Sequence, residues 1–194
     1  MSLAKCPHWA RGQSVWGSYE LDRDAPRLPS VTLNEMLAQK YGVTPQEAAA
    51  MNARVTAAAK EVGLDYHLER ARPGNTFDAH RLLHFAASRQ LDDAASERMM
   101  RGYFSESLAV GDREALARLA PEFGIPEHEA RALLESDAYA EAVRADEARA
   151  EDFGITGVPC FVIDESIVIA GAQPVDVFSN TLMQAWQESS GGRT

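Results

Sequence analysis

Cysteine is nearly absent from this chain. Only Cys6 and Cys160 occur, far apart and without the spacing of a disulfide scaffold or a zinc site. Two free thiols in a reducing compartment are the plain reading, so a cytoplasmic location is expected. Cationic residues are also scarce, 19 Lys and Arg against 29 Asp and Glu, for a net charge of −10. Such a balance repels phosphate backbones and anionic lipid, so no nucleic acid and no membrane is expected as a partner. No apolar run approaches the ~18–20 residues that a bilayer span needs, and the first five residues lead into no apolar signal core. Also lacking are a Gly-rich phosphate loop, a nucleophile elbow, a paired-Cys metal motif, an internal repeat and a low-complexity linker.

The 194 residues, 45% hydrophobic and 25% charged, suffice for a substantial core in one domain or in a domain with an insertion. The richest stretch is Phe153-Gly154-Ile155-Thr156-Gly157-Val158-Pro159 followed by two apolar runs, Cys160–Ile163 and Ile167–Ala170, with polar Asp164-Glu165-Ser166 between them. β-Branched and aromatic composition at that spacing predicts two hairpin-paired strands. Neither run alternates cleanly, so both faces are expected to be covered. Gly154 and Gly157 supply conformational freedom, and Pro159 leads into the first strand at a position where no ladder donor is needed. An X-Pro bond is free to be cis at a cost of ~0.5–1 kcal/mol, so the residues leave both isomers open.

Residues 1–14 read as a polar surface tail containing Cys6-Pro7-His8-Trp9. Residues 14–21 alternate, with Val15, Gly17, Tyr19 and Leu21 on one side, and predict a short strand. A loop with Pro26 and Pro29 leads to helices. Thr32 caps one that Gly42 stops, and Thr44-Pro45-Gln46-Glu47 opens another that runs to about Val62 and ends at Gly63. Residues 64–70 read as extended. Asn75 or Thr76 caps a helix on which His80 and His84 stand one turn apart. That spacing suits a metal, but no third ligand is at hand, and a packed or hydrogen-bonded pair is the plainer reading. Further helices follow over residues 91–108, after Asp112, after Pro126 and over residues 138–153, the last with a solvated acidic face. Pro174 begins a closing helix through Val177, Phe178, Leu182 and Trp186, and residues 189–194 form a frayed end.

Gly-Ile-Thr-Gly-Val-Pro-Cys-Phe-Val-Ile-Asp (154–164) and Val-Ile-Ala-Gly-Ala-Gln-Pro (168–174) resemble the cis-proline loop and closing hairpin of the DsbA family of thioredoxin-fold proteins, most of all its FrnE-like branch. Residues 75–84 resemble that branch's helical-insertion motif, and Tyr19-Glu20-Leu21-Asp22-Arg23-Asp24-Ala25-Pro26 its second strand and turn. The resemblance covers residues 15–186. It implies an α/β fold, a thioredoxin-like sheet with a large all-helical insertion: residues 1–31 and 153–194 in the thioredoxin-like part, 32–152 in the insertion. It also implies a cis Val158–Pro159 bond. The family's opening strand, Cys-x-x-Cys motif and active-site helix have no counterpart ahead of Val15, so the first strand and that helix are expected to be missing. Cys6-Pro7-His8-Trp9 has Trp where a second Cys belongs.

The function that the resemblance implies is thiol–disulfide oxidoreductase chemistry on a protein or small-molecule thiol or disulfide. Val158, Pro159, His80 and Arg81 are then the candidate substrate-binding residues, and Cys160 the candidate catalytic thiol, with packing inside its strand as the alternative. The two-thiol cycle lacks its cysteine pair in this sequence, so activity as an enzyme is left open. Two other readings stand beside it: a relative of the glutathione-using chromene-carboxylate isomerases and kappa-type glutathione transferases, or a non-enzymatic thioredoxin-like binding module. No cofactor is expected except glutathione under the first of these. An unfilled strand position beside residues 15–21 predicts association through a sheet edge, as a homodimer.

Overall fold

The computed structural model describes residues 14–191, and Cys6-Pro7-His8-Trp9 lies outside the described residues. By internal packing the chain divides into two units, one of Asp22–Arg144 and one that joins the described residues up to Leu21 to those from Ala145 onward.

The Asp22–Arg144 unit is helical. Thr32 and Thr44 begin α1 (Leu33–Tyr41) and α2 (Pro45–Glu61) with full capping boxes. Each hydroxyl accepts from the backbone of Glu35 or Glu47, and each glutamate reaches back to the threonine N–H. Gly42, at φ +66°, closes α1 by donating to the Ala38 carbonyl, a left-handed position that favours glycine. α1 packs on α2, and both meet a single 3-10 turn at Leu68–Arg70, where the sequence predicts an extended piece. The turn forms because the backbone N–H groups of Arg70 and Ala71 close back onto His67 and Leu68. It buries Leu68 and Ala71 against Leu33 in a small satellite core.

The main core lies among α3 (Phe77–Ala87), α4 (Asp92–Glu106), α5 (Arg113–Leu119) and α6 (Glu127–Glu135), with a 3-10 turn at Ala120–Phe123. Leu82, Leu116, Ile125 and Leu134 are fully enclosed there. Each buried aliphatic chain of this size contributes ~1.5–3 kcal/mol. Asn75 supplies the start of α3, its Oδ1 accepting from Phe77 N, while Thr76 makes no side-chain cap. α4 is shorter than the pattern suggests because Ser107 turns left-handed at φ +61° and ends it. For the same reason α7 (Ala140–Asp152) starts after Tyr139, at φ +62°, instead of at 138.

The other unit holds the sheet: β1 (Cys160–Ile163) pairs antiparallel with β2 (Ile167–Ala170) in the register Cys160↔Ala170, Phe161↔Ile169. These bounds are those predicted. Asp164 and Glu165 both take positive φ in the connecting turn, as mirror-image hairpin turns require. α8 (Val175–Gly191) follows and is still helical at 189–191, where a frayed end is expected. Phe178 meets Phe161 edge to face at 4.7 Å between ring centres, which ties the helix to one side of the hairpin.

The expected strand over residues 14–21 is not formed. Its alternation is real, but the polar side faces inward: Ser18 and Glu20 are buried while Val15 and Leu21 are exposed. No described strand lies beside it to share a ladder. Carboxylates on α7 take its backbone N–H groups instead, Ser18 N donating to Asp146 Oδ2 at 2.7 Å and Glu20 N to Glu147 Oε1 at 3.4 Å.

Candidate functional site

The loop ahead of β1 is built by the end of α7. Gly154, at φ +67°, and Ile155 return their N–H groups to the Glu151 and Ala150 carbonyls, which turns the chain out of the helix. Residues 156–158 then run without internal hydrogen bonds. The backbone N–H and C=O of Val158 have no partner among the described residues. The Val158–Pro159 peptide is cis. The Pro159 carbonyl accepts from Gly171 N at 2.8 Å and so extends the hairpin ladder one step past β1. Val158 is 52% exposed, Pro159 is exposed, and Cys160 is half-buried as a free thiol.

Chemically this is an exposed strand end with an unused donor and acceptor, an apolar side chain beside them and a thiol two residues on. Opposite residues in an antiparallel register share a face, so Cys160, Val162, Val168 and Ala170 share one and Phe161, Ile163, Ile167 and Ile169 the other. Val168 and Ala170 are exposed on the first face, while Ile169 is buried on the second.

The helical unit contains a second polar centre, around Asp78. Arg81, expected beside a substrate groove, is instead 1% exposed and committed to internal acceptors. Its Nη1 donates to Asp78 Oδ1 at 2.7 Å, its Nε to the Ala138 carbonyl at 2.9 Å, and its Nη2 to the carbonyls of Leu133 and Ser136. One guanidinium thus gathers three carbonyls from the last turn of α6 and the residues that follow it. Arg113 Nε and Nη2 and Arg27 Nη2 also donate to Asp78. Burial pushes the Asp78 carboxyl up, but hydrogen bonds from Arg113 and Arg81 and the charges of Arg113 and Arg27 outweigh it and hold the group below the ordinary carboxylate range. His80 and His84 are half-buried on α3. No group of three or more His, Cys, Asp or Glu suited to a metal ion occurs among the described residues.

Val158, Pro159 and Cys160 stand at this exposed strand end, and the sequence reading misses Asp78, Arg27 and Arg113. The signal for the first was present: Asp78 and Arg81 are three apart on a capped helix, a spacing that pairs charges on one face. No helix of the described residues is long and apolar enough to cross a membrane.

Three comparisons bear on this arrangement. The sequence profile of the DSBA-like thioredoxin domain matches residues 11–183. The crystal structure of the probable DsbA oxidoreductase SCO1869 from Streptomyces coelicolor superimposes with a TM-score of 0.90 at 40% identity, over 99% of this chain and 81% of that one. A putative protein disulfide isomerase from Nitrosomonas europaea shares the fold, with a TM-score of 0.60 at 19% identity over 81% of this chain and 89% of that one. Among curated sequences, the uncharacterized protein YwbO of Bacillus subtilis (strain 168) is 29% identical over 126 residues, which are 64% of this chain and only 62% of YwbO. The chain therefore belongs to the family of proteins with a DSBA-like thioredoxin domain, an α/β fold.

Proposed function

We propose that this protein is a FrnE-like member of the family, cytoplasmic, that receives extended polypeptide segments bearing thiols or disulfides. Residues 156–158 form the receiving edge, and Cys160 is the thiol nearest to it. The observation that carries this reading is the unpartnered N–H and C=O of the exposed Val158 at the start of β1. An extended substrate adds itself to such an edge through main-chain hydrogen bonds, while side chains such as Val158 and Pro159 shape its selectivity. An added strand of this kind needs no cofactor.

The 194 residues contain no Cys-x-x-Cys pair, so they do not carry a two-thiol cycle by themselves. A single-thiol exchange at Cys160 balances as follows. The Cys160 thiolate attacks one sulfur of a substrate disulfide; the substrate S–S bond breaks as a mixed disulfide forms, and the other sulfur leaves as a thiolate that takes a proton from water. A second, external thiol such as glutathione releases Cys160 and ends in the new disulfide. Insulin-disulfide reduction by the wild type and by Cys160→Ser tests this. The expected result is no dithiol-type turnover by either, and slow reduction with added glutathione by the wild type alone; robust turnover without glutathione contradicts the first, and equal glutathione-dependent rates in the two proteins contradict the second.

The same reading makes the protein a homodimer. A two-stranded hairpin with Val168 and Ala170 exposed on one face leaves apolar surface and a sheet edge with no partner strand among the described residues, which a second copy covers symmetrically. Light scattering across a dilution series is expected to show twice the chain mass; a monomer at high concentration overturns the dimer without touching the substrate-edge reading.

A further inference from the structure

Cations are the minority charge in this chain, and elsewhere in the helical unit they are shared thinly. Arg131 lies between Glu114 and Glu127, one guanidinium to two carboxylates, and Arg98 and Arg101 share Glu106 and Glu122, two to two. Around Asp78 the ratio is inverted, with Arg27, Arg81 and Arg113 all on one carboxylate. Arg81 alone matches the charge of Asp78, and both are buried, their side chains 2% and 6% exposed. Arg27 and Arg113, 47% and 41% exposed, bring two further positive charges that neutralising Asp78 does not require. The acidic residues flanking Arg113 are engaged elsewhere: Asp112 caps α5 by accepting from Glu114 N and Ala115 N, and Glu114 holds Arg131.

Both exposed guanidiniums keep donors in hand. Arg27 uses only Nη2, and Arg113 only Nε and Nη2, so Nε and Nη1 of the first and Nη1 of the second have no protein partner among the described residues. Their position is also fixed in advance. Asn75 N donates to the Pro26 carbonyl at 3.1 Å, and the Arg27 carbonyl sits 2.5 Å and 1.9 Å from where side chains at Gly74 and Gly111 would begin, so only glycines admit that crossing. Asp78 then holds both arginine heads on one carboxylate.

We propose that Arg27 and Arg113, held on Asp78, form a binding site for a phosphate-type oxyanion carrying two negative charges. Guanidinium forks match the oxygen spacing of such groups, and two of them balance a dianion. The class covers free phosphate and a phosphomonoester alike.

The test is a titration of the full chain at constant ionic strength and mildly alkaline pH, following arginine Nε–H resonances by NMR. Separate arms use inorganic phosphate, glycerol 2-phosphate and chloride. Saturable shifts of the Arg27 and Arg113 resonances are expected while that of Arg81, donated to the Ala138 carbonyl, stays in place. Saturation by inorganic phosphate alone assigns a free anion, and saturation by the ester as well assigns a phosphoryl group on a larger molecule. Arg27→Gln with Arg113→Gln is expected to weaken binding by about tenfold or more, as loss of charged hydrogen bonds does. Shifts that never saturate, an equal response to chloride, or unchanged affinity in the double variant overturn the proposal. If that variant does not fold, the wild-type titration decides alone.

Discussion

Asp78 and Arg81 stand one helical turn apart on α3, and the 2.7 Å bond between Arg81 Nη1 and Asp78 Oδ1 lies inside the helical unit with both side chains almost wholly enclosed. Removing Arg81 leaves Asp78 to Arg27 and Arg113 but takes a buried donor from the Ala138, Leu133 and Ser136 carbonyls, and Asp78→Asn leaves Arg81 a buried cation without its anion. Arg81→Ala or Asp78→Asn is therefore expected to cost ~3–5 kcal/mol, measured by chemical denaturation. Arg81→Lys should recover little, because an ammonium cannot reach the Ala138, Leu133 and Ser136 carbonyls together. A loss under about 1 kcal/mol in Arg81→Ala would contradict this account.

The same pair sets an acid response. The folded Asp78 carboxyl titrates below its unfolded value of ~3.9, so its contribution is fully present above that value and disappears as pH falls through the depressed folded one. Wild-type stability should decline over that acid window. Asp78→Asn should be less stable at neutral pH and lose less on acidification. Parallel declines in the two proteins would remove Asp78 from the explanation.

Three glycines rank by what their missing side chain would meet. At Gly111 a Cβ would stand 1.9 Å from the Arg27 carbonyl oxygen and at Gly74 2.5 Å from it, both backbone obstacles, whereas at Gly102 it meets the flexible end of Leu108 at 2.9 Å. Gly102 is also helical, where alanine gains up to ~1 kcal/mol in propensity. Melting of the three alanine variants should show Gly111→Ala worst, then Gly74→Ala, with Gly102→Ala mildest; the reverse order would contradict the close crossing of Arg27.

The hairpin turn carries Asp164 and Glu165 at φ +48° and +55°, a region that costs a residue with a side chain ~1–2 kcal/mol. Asn-Gly is the sequence that such turns favour. Asp164→Asn with Glu165→Gly should therefore stabilise by about 1 kcal/mol, since the Arg149–Glu165 ion pair that it removes is exposed and worth little. An unchanged or lower melting temperature would count against the turn as described.

Local chemistry made much of the fold legible. The caps at Thr32 and Thr44, the stop at Gly42 and both strand bounds follow from short-range rules that the surroundings do not overturn. The failure at residues 14–21 has a physical cause: alternation shows that two faces differ but not which is buried, and here carboxylates of α7 replace a neighbouring strand. Arg81 was placed at a groove because resemblance locates a helix and does not say which side chains its neighbours enclose. The strand entry at Pro159 was legible because a proline ahead of an apolar run marks where a ladder starts, although the absence of partners on Val158 among the described residues emerges only from the structure.

The reading stands or falls on whether residues 156–158 receive an extended chain. Backbone amide NMR of the full chain, titrated with a short unfolded peptide bearing one blocked cysteine, examines this directly. The account predicts saturable shifts at the Gly157, Val158 and Cys160 amides, with Val158 N–H gaining protection from exchange. Shifts confined to other surfaces, with the Val158 amide still exchanging freely, would contradict it.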